Sequence, residues 1–207
     1  MEERGVHPIL SVYGQTEKLA FPLILIIGRE PNSGLEMGHE VGTYEFGKGG
    51  VPFWDIPYSI LAEYIGLKGR ELKCFCRCRN NSPITFADIS DKPIHSNDNN
   101  KSRKRNERET EDFVNHLTEV EQLPIFKRVK SVIFSGLDYP LEAKGRYGEA
   151  LIRFEKKWDD RDIETVRVRF PRGSNRAKIK EVLDSESTRP KEILNNWRKC
   201  EHELQKD

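Results

Sequence analysis

The carboxylate of Glu30 occupies a place in the sequence where it could act as a general base. Glu30 lies two residues after Gly28, which ends a continuous apolar run over residues 23–27, and Pro31 follows it directly. Glycine allows a sharp turn and proline stiffens it, so the carboxylate would be held at the end of a strand, where it could polarise a water molecule. A helix cap or an ion-pair partner is the more common role of such a residue, and the local pattern leaves both roles open.

A basic segment near the end of the chain is a second candidate site. Residues 167–180 contain six cations and no acidic residue. Ser174 and Asn175 could cap the helix that follows, and a helix N-terminus beside arginine is a suitable phosphate site. A solvated basic helix is the alternative. The six cations are Arg167, Arg169, Arg172, Arg176, Lys178 and Lys180.

Three of the four cysteines are clustered but do not form a convincing metal site. Cys74, Cys76 and Cys78 alternate with other residues, and alternate side chains of a strand project to the same side. Paired zinc ligands usually have at least two residues between them. We therefore expect reduced structural thiols, with no metal and no cofactor; a metal or redox role for the cluster is the alternative.

The elements that would position these residues are strands and helices in alternation. Apolar or alternating runs predict four strands, and apolar residues at helical spacing follow them, beginning with a helix that starts at Phe53, has Pro57 in its first turn and ends at Gly66. This order predicts a single α/β domain over residues 1–207, a three-layer α/β/α sandwich with a mostly parallel four-stranded sheet, whose ligand lies at the strand carboxyl ends. Residues 95–112 contain no aliphatic or aromatic side chain and are expected to form a solvated loop. The strands are predicted at residues 21–28, 84–90, 131–136 and 165–171.

The overall composition narrows the kind of partner without identifying it. The chain has 35 Lys and Arg against 34 Asp and Glu, which excludes a uniformly basic DNA-coating protein but not a local basic patch. The longest aliphatic run is far shorter than the roughly 20 residues that span a bilayer. No secretory signal pattern opens the sequence. We expect an intracellular protein, cytoplasmic or nuclear, with no membrane partner.

Five short segments follow one another at the predicted strand ends and at the start of the first helix. They are Gly28-x-Glu30-Pro31, Gly38-His39 with Tyr44, Phe53-Trp54, Phe86-Ala87-Asp88-Ile89, and Phe170-Pro171-Arg172-Gly173-Ser174. In this order they resemble the mismatch-specific (thymine/uracil) branch of the uracil-DNA glycosylase superfamily. That branch has Gly-x-Asn-Pro, a Gly-His-Tyr-rich loop, Phe-Trp at a helix start, a strand ending Phe-Thr-Asn-Ile and a His-Pro-Ser loop, whose histidine is replaced here by Phe170.

The resemblance implies a role for each matched position. Glu30 would orient the hydrolytic water, and Asp88 would read the flipped base in place of the family's asparagine. An ionised carboxylate only accepts hydrogen bonds, so Asp88 suits a base edge that presents N–H donors, or it is held protonated. Gly28, Pro31, Asn32 and His39 would line the base site, Tyr44 or Phe46 would stack on the base or merely anchor the loop, and Pro171, Arg172, Ser174, Asn175 and Arg176 would contact DNA.

The function implied is that of a DNA glycosylase-like enzyme. It would flip a damaged or mispaired base out of duplex DNA and hydrolyse its N-glycosidic bond. The alternative is a catalytically inactive protein of the same fold that binds nucleic acid, a nucleobase or a nucleotide, since Asp88 and Phe170 both depart from the family pattern. Either function requires Glu30, Asp88 and the Arg172 loop to meet at one cleft.

Overall fold

A computed structural model of the chain describes residues 9–11, 22–28, 52–67, 83–90, 109–136, 145–169 and 173–204. Within these residues the sheet has five strands, in the order β1-β3-β2-β4-β5. Strands β2 to β5 are parallel, and β1 pairs antiparallel with β3 at one edge. The strands are β1 (Ile9–Ser11), β2 (Leu23–Gly28), β3 (Ile84–Asp88), β4 (Val129–Ser135) and β5 (Glu164–Val168).

The four predicted strands are present, but the expected strand count was wrong by one. The additional strand, β1, has only three residues, too few to show the alternation that identifies a strand in a sequence. It is defined by its backbone pairing with β3, with Ile9 opposite Ala87, which no local pattern encodes.

In the described part of the chain, five α-helices accompany the sheet. The first begins at Pro52, which takes the first-turn position favoured for proline, so Pro57 lies one turn later than predicted. The second begins at Thr110, inside the segment predicted as a loop, because Glu109 and Asp112 form a reciprocal capping box; residues 95–108 lie outside the described ranges. The helices are α1 (Pro52–Tyr64), α2 (Thr110–Gln122), α3 (Gly145–Asp159), α4 (Arg176–Ser185) and α5 (Arg189–Leu204).

Helices cover both faces of the sheet, so the predicted α/β class with a mostly parallel, helix-flanked sheet is confirmed. Strand β2 shows why: residues 24 and 26 belong to one core and residues 23, 25 and 27 to the other, and all five are fully buried. A strand buried on both faces reads as an unbroken apolar run. Helices α1, α4 and α5 supply the first core, and α2 and α3 supply the second.

A charged cluster on the first side joins α1 to α4 and α5. The Tyr64 hydroxyl donates to Asp184 Oδ1 at 2.8 Å, and the ammonium groups of Lys191 and Lys180 lie 2.8 and 3.3 Å from the same carboxylate. The hydrogen bonds from Lys191 and Tyr64 lower the pKa of Asp184 from 3.8 to about 2. Burial and the bond to Asp184 raise the pKa of Tyr64.

The ion pairs of Asp184 predict that part of the protein's stability is lost at acid pH. Because the pKa of Asp184 is depressed in the folded state, its stabilising contribution is complete above pH 3.8 and is lost as the pH falls toward 2. Asp184→Asn is therefore expected to lower the midpoint of urea unfolding at neutral pH and to reduce its decline between about pH 4 and 2. Glu181→Gln, one turn earlier on α4, is the matched control; an equal effect of both substitutions would contradict the assignment.

Candidate functional site

The parallel strands end at a common level and bring four residues into one line. Gly28 pairs with Asp88, and Ser135 pairs with Val168. Since Ile27 pairs with Phe134, Gly28 is next to Ser135 in the same register. We call Asp88, Gly28, Ser135 and Val168, in this spatial order, the carboxyl-edge row. The row crosses all four parallel strands at the edge where ligands bind in open α/β sheets.

The strand order locates the crevice within this edge. From β2 the chain passes to β3 on one side and then to β4 on the other, so the winding reverses between β2 and β4. A doubly wound sheet binds its ligand at this switch point. Gly28 ends β2 there, and on β4 Gly136 follows Ser135 with a φ of 77° and donates its N–H to the Val168 carbonyl at 2.9 Å.

Two of the predicted site residues, Gly28 and Asp88, are neighbours in the row. Asp88 is 6% exposed and Gly28 is also buried, so their polar groups lie in a low-dielectric setting. The Ile89 N–H donates to the Gly28 carbonyl at 3.0 Å and extends the pairing of the two strands past their ends. Glu30 follows Gly28 by two residues in the chain but lies outside the described residues. The described residues also exclude Pro31, Asn32, His39, Tyr44, Phe46, Phe170, Pro171, Arg172 and the cysteines at 74, 76 and 78.

The predicted capping of α4 by Asn175 was wrong. Ser174 is exposed and lies in a 3-10 turn, Gly173–Asn175, that leads directly into the helix. Asn175 occupies the N-cap position with φ −99° and ψ −4° and makes no side-chain cap hydrogen bond. Its backbone is already helical, whereas a capping side chain normally requires an extended N-cap residue.

The basic segment is less positive in the folded protein than in the sequence. Arg167 forms a two-pronged ion pair with Glu155, with both N···O distances at 2.5 Å. Arg176 Nη2 lies 2.6 Å from Glu63 Oε1, and its other terminal nitrogen donates to Ser59. Together with the Lys180–Asp184 pair, three of the six cations are matched by carboxylates, two of which come from other elements. Arg176 thus anchors α4 to α1, and its charge is partly neutralised.

A buried histidine contacts the site and was missed by the sequence reasoning. His116 on α2 is 4% exposed, and its Nε2 lies 3.1 Å from the backbone carbonyl oxygen of Asp88. The signal was its spacing: His116 follows Phe113 by three residues and precedes Val120 by four, which places it on the apolar face of the helix. Its contact fixes the end of β3 from the side of the sheet covered by α2.

Within the described ranges, no group of three or more His, Cys, Asp or Glu side chains is arranged to hold a metal ion. In the same part of the chain, none of the helices combines the length and the apolar character that crossing a bilayer would need.

The strand order and the helices on both faces define an α/β protein with a mostly parallel sheet, and Asp88 and Ser135 are polar residues at the carboxyl ends of its strands. Comparison of the chain with protein-family models, with curated proteins and with solved structures found no match in any of the three.

Proposed function

We propose that the protein is a DNA glycosylase-like enzyme that flips a damaged or mispaired base and hydrolyses its N-glycosidic bond, on a three-layer fold of the uracil-DNA glycosylase type. One observation carries the proposal: Asp88, at the end of β3, is adjacent to Gly28, which ends β2 beside the switch point. In the motifs that the chain resembles, these two strand ends bear the base-reading residue and the turn before the water-activating residue. Glu30 follows Gly28 by two residues, and two residues of chain span at most about 7 Å.

The proposed chemistry is hydrolysis with a carboxylate base. Glu30 takes a proton from a water molecule as the water oxygen bonds to the sugar C1′ and the N-glycosidic bond breaks. The bonding electrons leave with the base, which takes up a proton, so the products are an abasic site and a free base. Backbone N–H groups after β2 would stabilise the negative charge on the departing base.

The buried carboxylate of Asp88 determines which bases would fit. At 6% exposure an ionised carboxylate accepts hydrogen bonds and donates none, so it matches a base edge with N–H groups and opposes a bare carbonyl. A base that presents a carbonyl at this position would lose a hydrogen bond in a buried setting, and this penalty discriminates strongly between bases. Hypoxanthine fits this requirement better than uracil or xanthine, because its N1–H has a C–H on one side, whereas the N3–H of uracil and the N1–H of xanthine each lie between two carbonyls.

The ion pairs of the basic segment favour a second candidate, a binding protein for a nucleobase or nucleotide without catalysis. Pairing of Arg167 and Arg176 with carboxylates leaves fewer cations for DNA phosphates than the sequence suggested. A small ligand needs fewer phosphate contacts than a duplex, and its affinity would fall less steeply with salt.

A panel of DNA duplexes separates the two candidates. Duplexes that contain hypoxanthine, xanthine, uracil or a G·T mismatch, with an undamaged duplex as the control, are incubated with the protein, and abasic sites are detected by alkaline strand cleavage. We expect cleavage of at least one modified duplex, with hypoxanthine ahead of uracil. If no duplex is cleaved while free bases still bind, the enzyme proposal fails and the binding protein is favoured.

A further inference from the structure

We infer that the protein forms a two-fold dimer through the outer edge of β5, in which β5 of one copy pairs antiparallel with β5 of a second copy. This interface runs along the side of the sheet rather than across the strand ends, so it is independent of the proposed function. Two features of the structure support it: the edge of β5 is open and matches itself, and an exposed isoleucine lies beside it.

The outer edge of β5 is open. The Val168 carbonyl accepts the Gly136 N–H at 2.9 Å, so the backbone groups of Val168 point toward β4. Backbone groups alternate in direction along a strand, and those of Thr165 and Arg167 therefore point away from β4. In the described part of the chain these outward backbone groups have no hydrogen-bond partner. The opposite edge of the sheet differs, because β1 pairs with β3 there.

Arg167 does not protect this edge from pairing. A charged side chain that projects from an edge strand hinders the addition of another strand. The Arg167 guanidinium instead forms its two-pronged ion pair with Glu155 of α3, so its charge is compensated and held over the face of the sheet. No proline and no bulge interrupts β5, which are two other common devices that block an edge.

The sequence of β5 matches a second copy of itself. A two-fold axis at Val166 places Thr165 opposite the partner's Arg167, and each such pair can exchange both of its backbone hydrogen bonds. Both outward residues of each copy then gain partners, and each arginine faces a threonine. An axis at Arg167 would instead place the two guanidinium groups opposite each other, which destabilises a strand pair. The Val166 register is therefore the one we expect.

Ile152 adds an apolar contact beside the edge. It is 44% exposed and is the one large hydrophobic side chain that is exposed among the described residues. On α3 it lies one turn before Glu155, which contacts β5, and away from Arg153 and Lys157, whose ion pairs face α2. A two-fold axis perpendicular to the sheet keeps each helical layer on its own side, so the flank of α3 with Ile152 would face the α3 of the second copy.

The charges around the edge favour a second copy over a charged peptide. The charges of Arg167 and Glu155 cancel, and the exposed surface of α3 after Ile152 adds one cation, Lys156, and one anion, Asp159. A strongly acidic or basic partner would therefore gain little attraction here. A copy with the same balanced charge meets no net repulsion.

The test measures association and backbone protection in the full chain. Sedimentation velocity between about 10 µM and 1 mM covers the affinity of a small, weak interface, and hydrogen exchange followed by NMR at low and high concentration reports on the edge amides. We expect a monomer–dimer equilibrium in which the Thr165 and Arg167 amides exchange severalfold more slowly at the higher concentration. The Val166 amide points toward β4 and is the internal control, with the same protection at both concentrations.

Two substitutions test the interface, each with a matched control. Thr165→Pro removes an N–H that β4 does not use and should weaken dimerisation at least about tenfold, whereas Thr165→Val keeps the N–H and should not. Ile152→Asp puts a charge into the interface and should weaken it at least as much; because Ile152 is exposed, this variant keeps the fold even if Thr165→Pro does not. Asn195→Asp adds the same charge on the exposed surface of α5 and should leave the equilibrium unchanged.

Three results would overturn the dimer. A chain that stays monomeric at the highest concentration has no such interface, and the edge of β5 is then left to a strand of another protein. A dimer in which the Thr165 and Arg167 amides keep their monomer exchange rates uses another surface. The same conclusion follows if Ile152→Asp dimerises as tightly as Asn195→Asp.

Discussion

Glu30→Gln is expected to reduce base excision by about 10²–10⁴-fold while the protein still binds the modified duplex. The substitution keeps the size of the side chain and removes its ability to accept a proton, and general-base catalysis contributes a rate factor of this order. Single-turnover cleavage of a hypoxanthine duplex measures the chemical step, and a gel-shift titration measures binding. The expected signature is a loss in rate at unchanged affinity, because the proton is transferred only in the transition state.

The control for Glu30 is a second glutamate, Glu36, six residues later in the chain. Glu36→Gln makes the same chemical change six residues later, outside the motif that resembles the glycosylase pattern. It should keep at least most of the wild-type rate. If Glu30→Gln is fully active, or if both variants lose the same fraction of the excision rate, Glu30 is not the general base. Its role would then be that of a helix cap or an ion-pair partner.

Trp158→Ala is expected to lower the free energy of unfolding by about 3–5 kcal/mol, the largest loss of stability among the proposed substitutions. Trp158 is fully buried between α3 and the sheet, and its ring centroid lies 5.2 to 5.8 Å from those of Phe126, Phe134 and Phe154. Removing the indole would create a cavity among rings that cannot collapse to fill it. Urea unfolding followed by circular dichroism should show a lower midpoint.

The polar end of Trp158 connects α3 to α2. Its indole N–H donates to Glu121 Oε1 at 2.7 Å, and Arg161 donates to the same oxygen at 2.8 Å. Glu121 is 6% exposed and also receives a contact from Lys157, so its charge is compensated where it is buried. Trp158→Phe keeps one aromatic ring in the cluster but loses the N–H donor and the second ring, and it should cost about 1–2 kcal/mol, less than Trp158→Ala.

A substitution on the surface of the same helix separates the effect of core packing on stability from the effect of helix propensity. Lys156→Ala alters an exposed position of α3 and is expected to stay within about 0.5 kcal/mol of the wild type. A loss in Trp158→Ala no larger than this would show that the aromatic cluster does not support the second core.

Local pattern was sufficient for most of the fold. The unbroken run of β2 predicted a strand covered on both faces, because a strand that contacts two helical layers can carry apolar side chains at every position. Apolar residues at helical spacing predicted helices after the strands, beginning with α1, because period and burial are linked in an amphipathic helix. Those signals are properties of short segments, so they can be read without knowing what packs against them.

Contacts between distant segments explain what was missed or wrong. The pairing of Arg176 with Glu63 joins residues 113 positions apart, so a count of charges along the chain could not reveal that the basic segment is partly neutralised. The cap expected from Asn175 failed because a preceding 3-10 turn sets its backbone. Strand β1 was missed because three residues carry no usable period, and only the edge of β3 gives them a partner.

By itself, the sequence determined that this is an α/β protein with candidate polar residues at its strand ends, because the hydrophobic period of a segment follows from how that segment is buried. Only the tertiary structure decided which of those ends are neighbours. Strand order and register place Asp88 beside Gly28 and Gly28 beside Ser135, and a helix on the opposite face brings His116 to the Asp88 carbonyl. Register arises from the simultaneous packing of both faces, and no single segment contains that information.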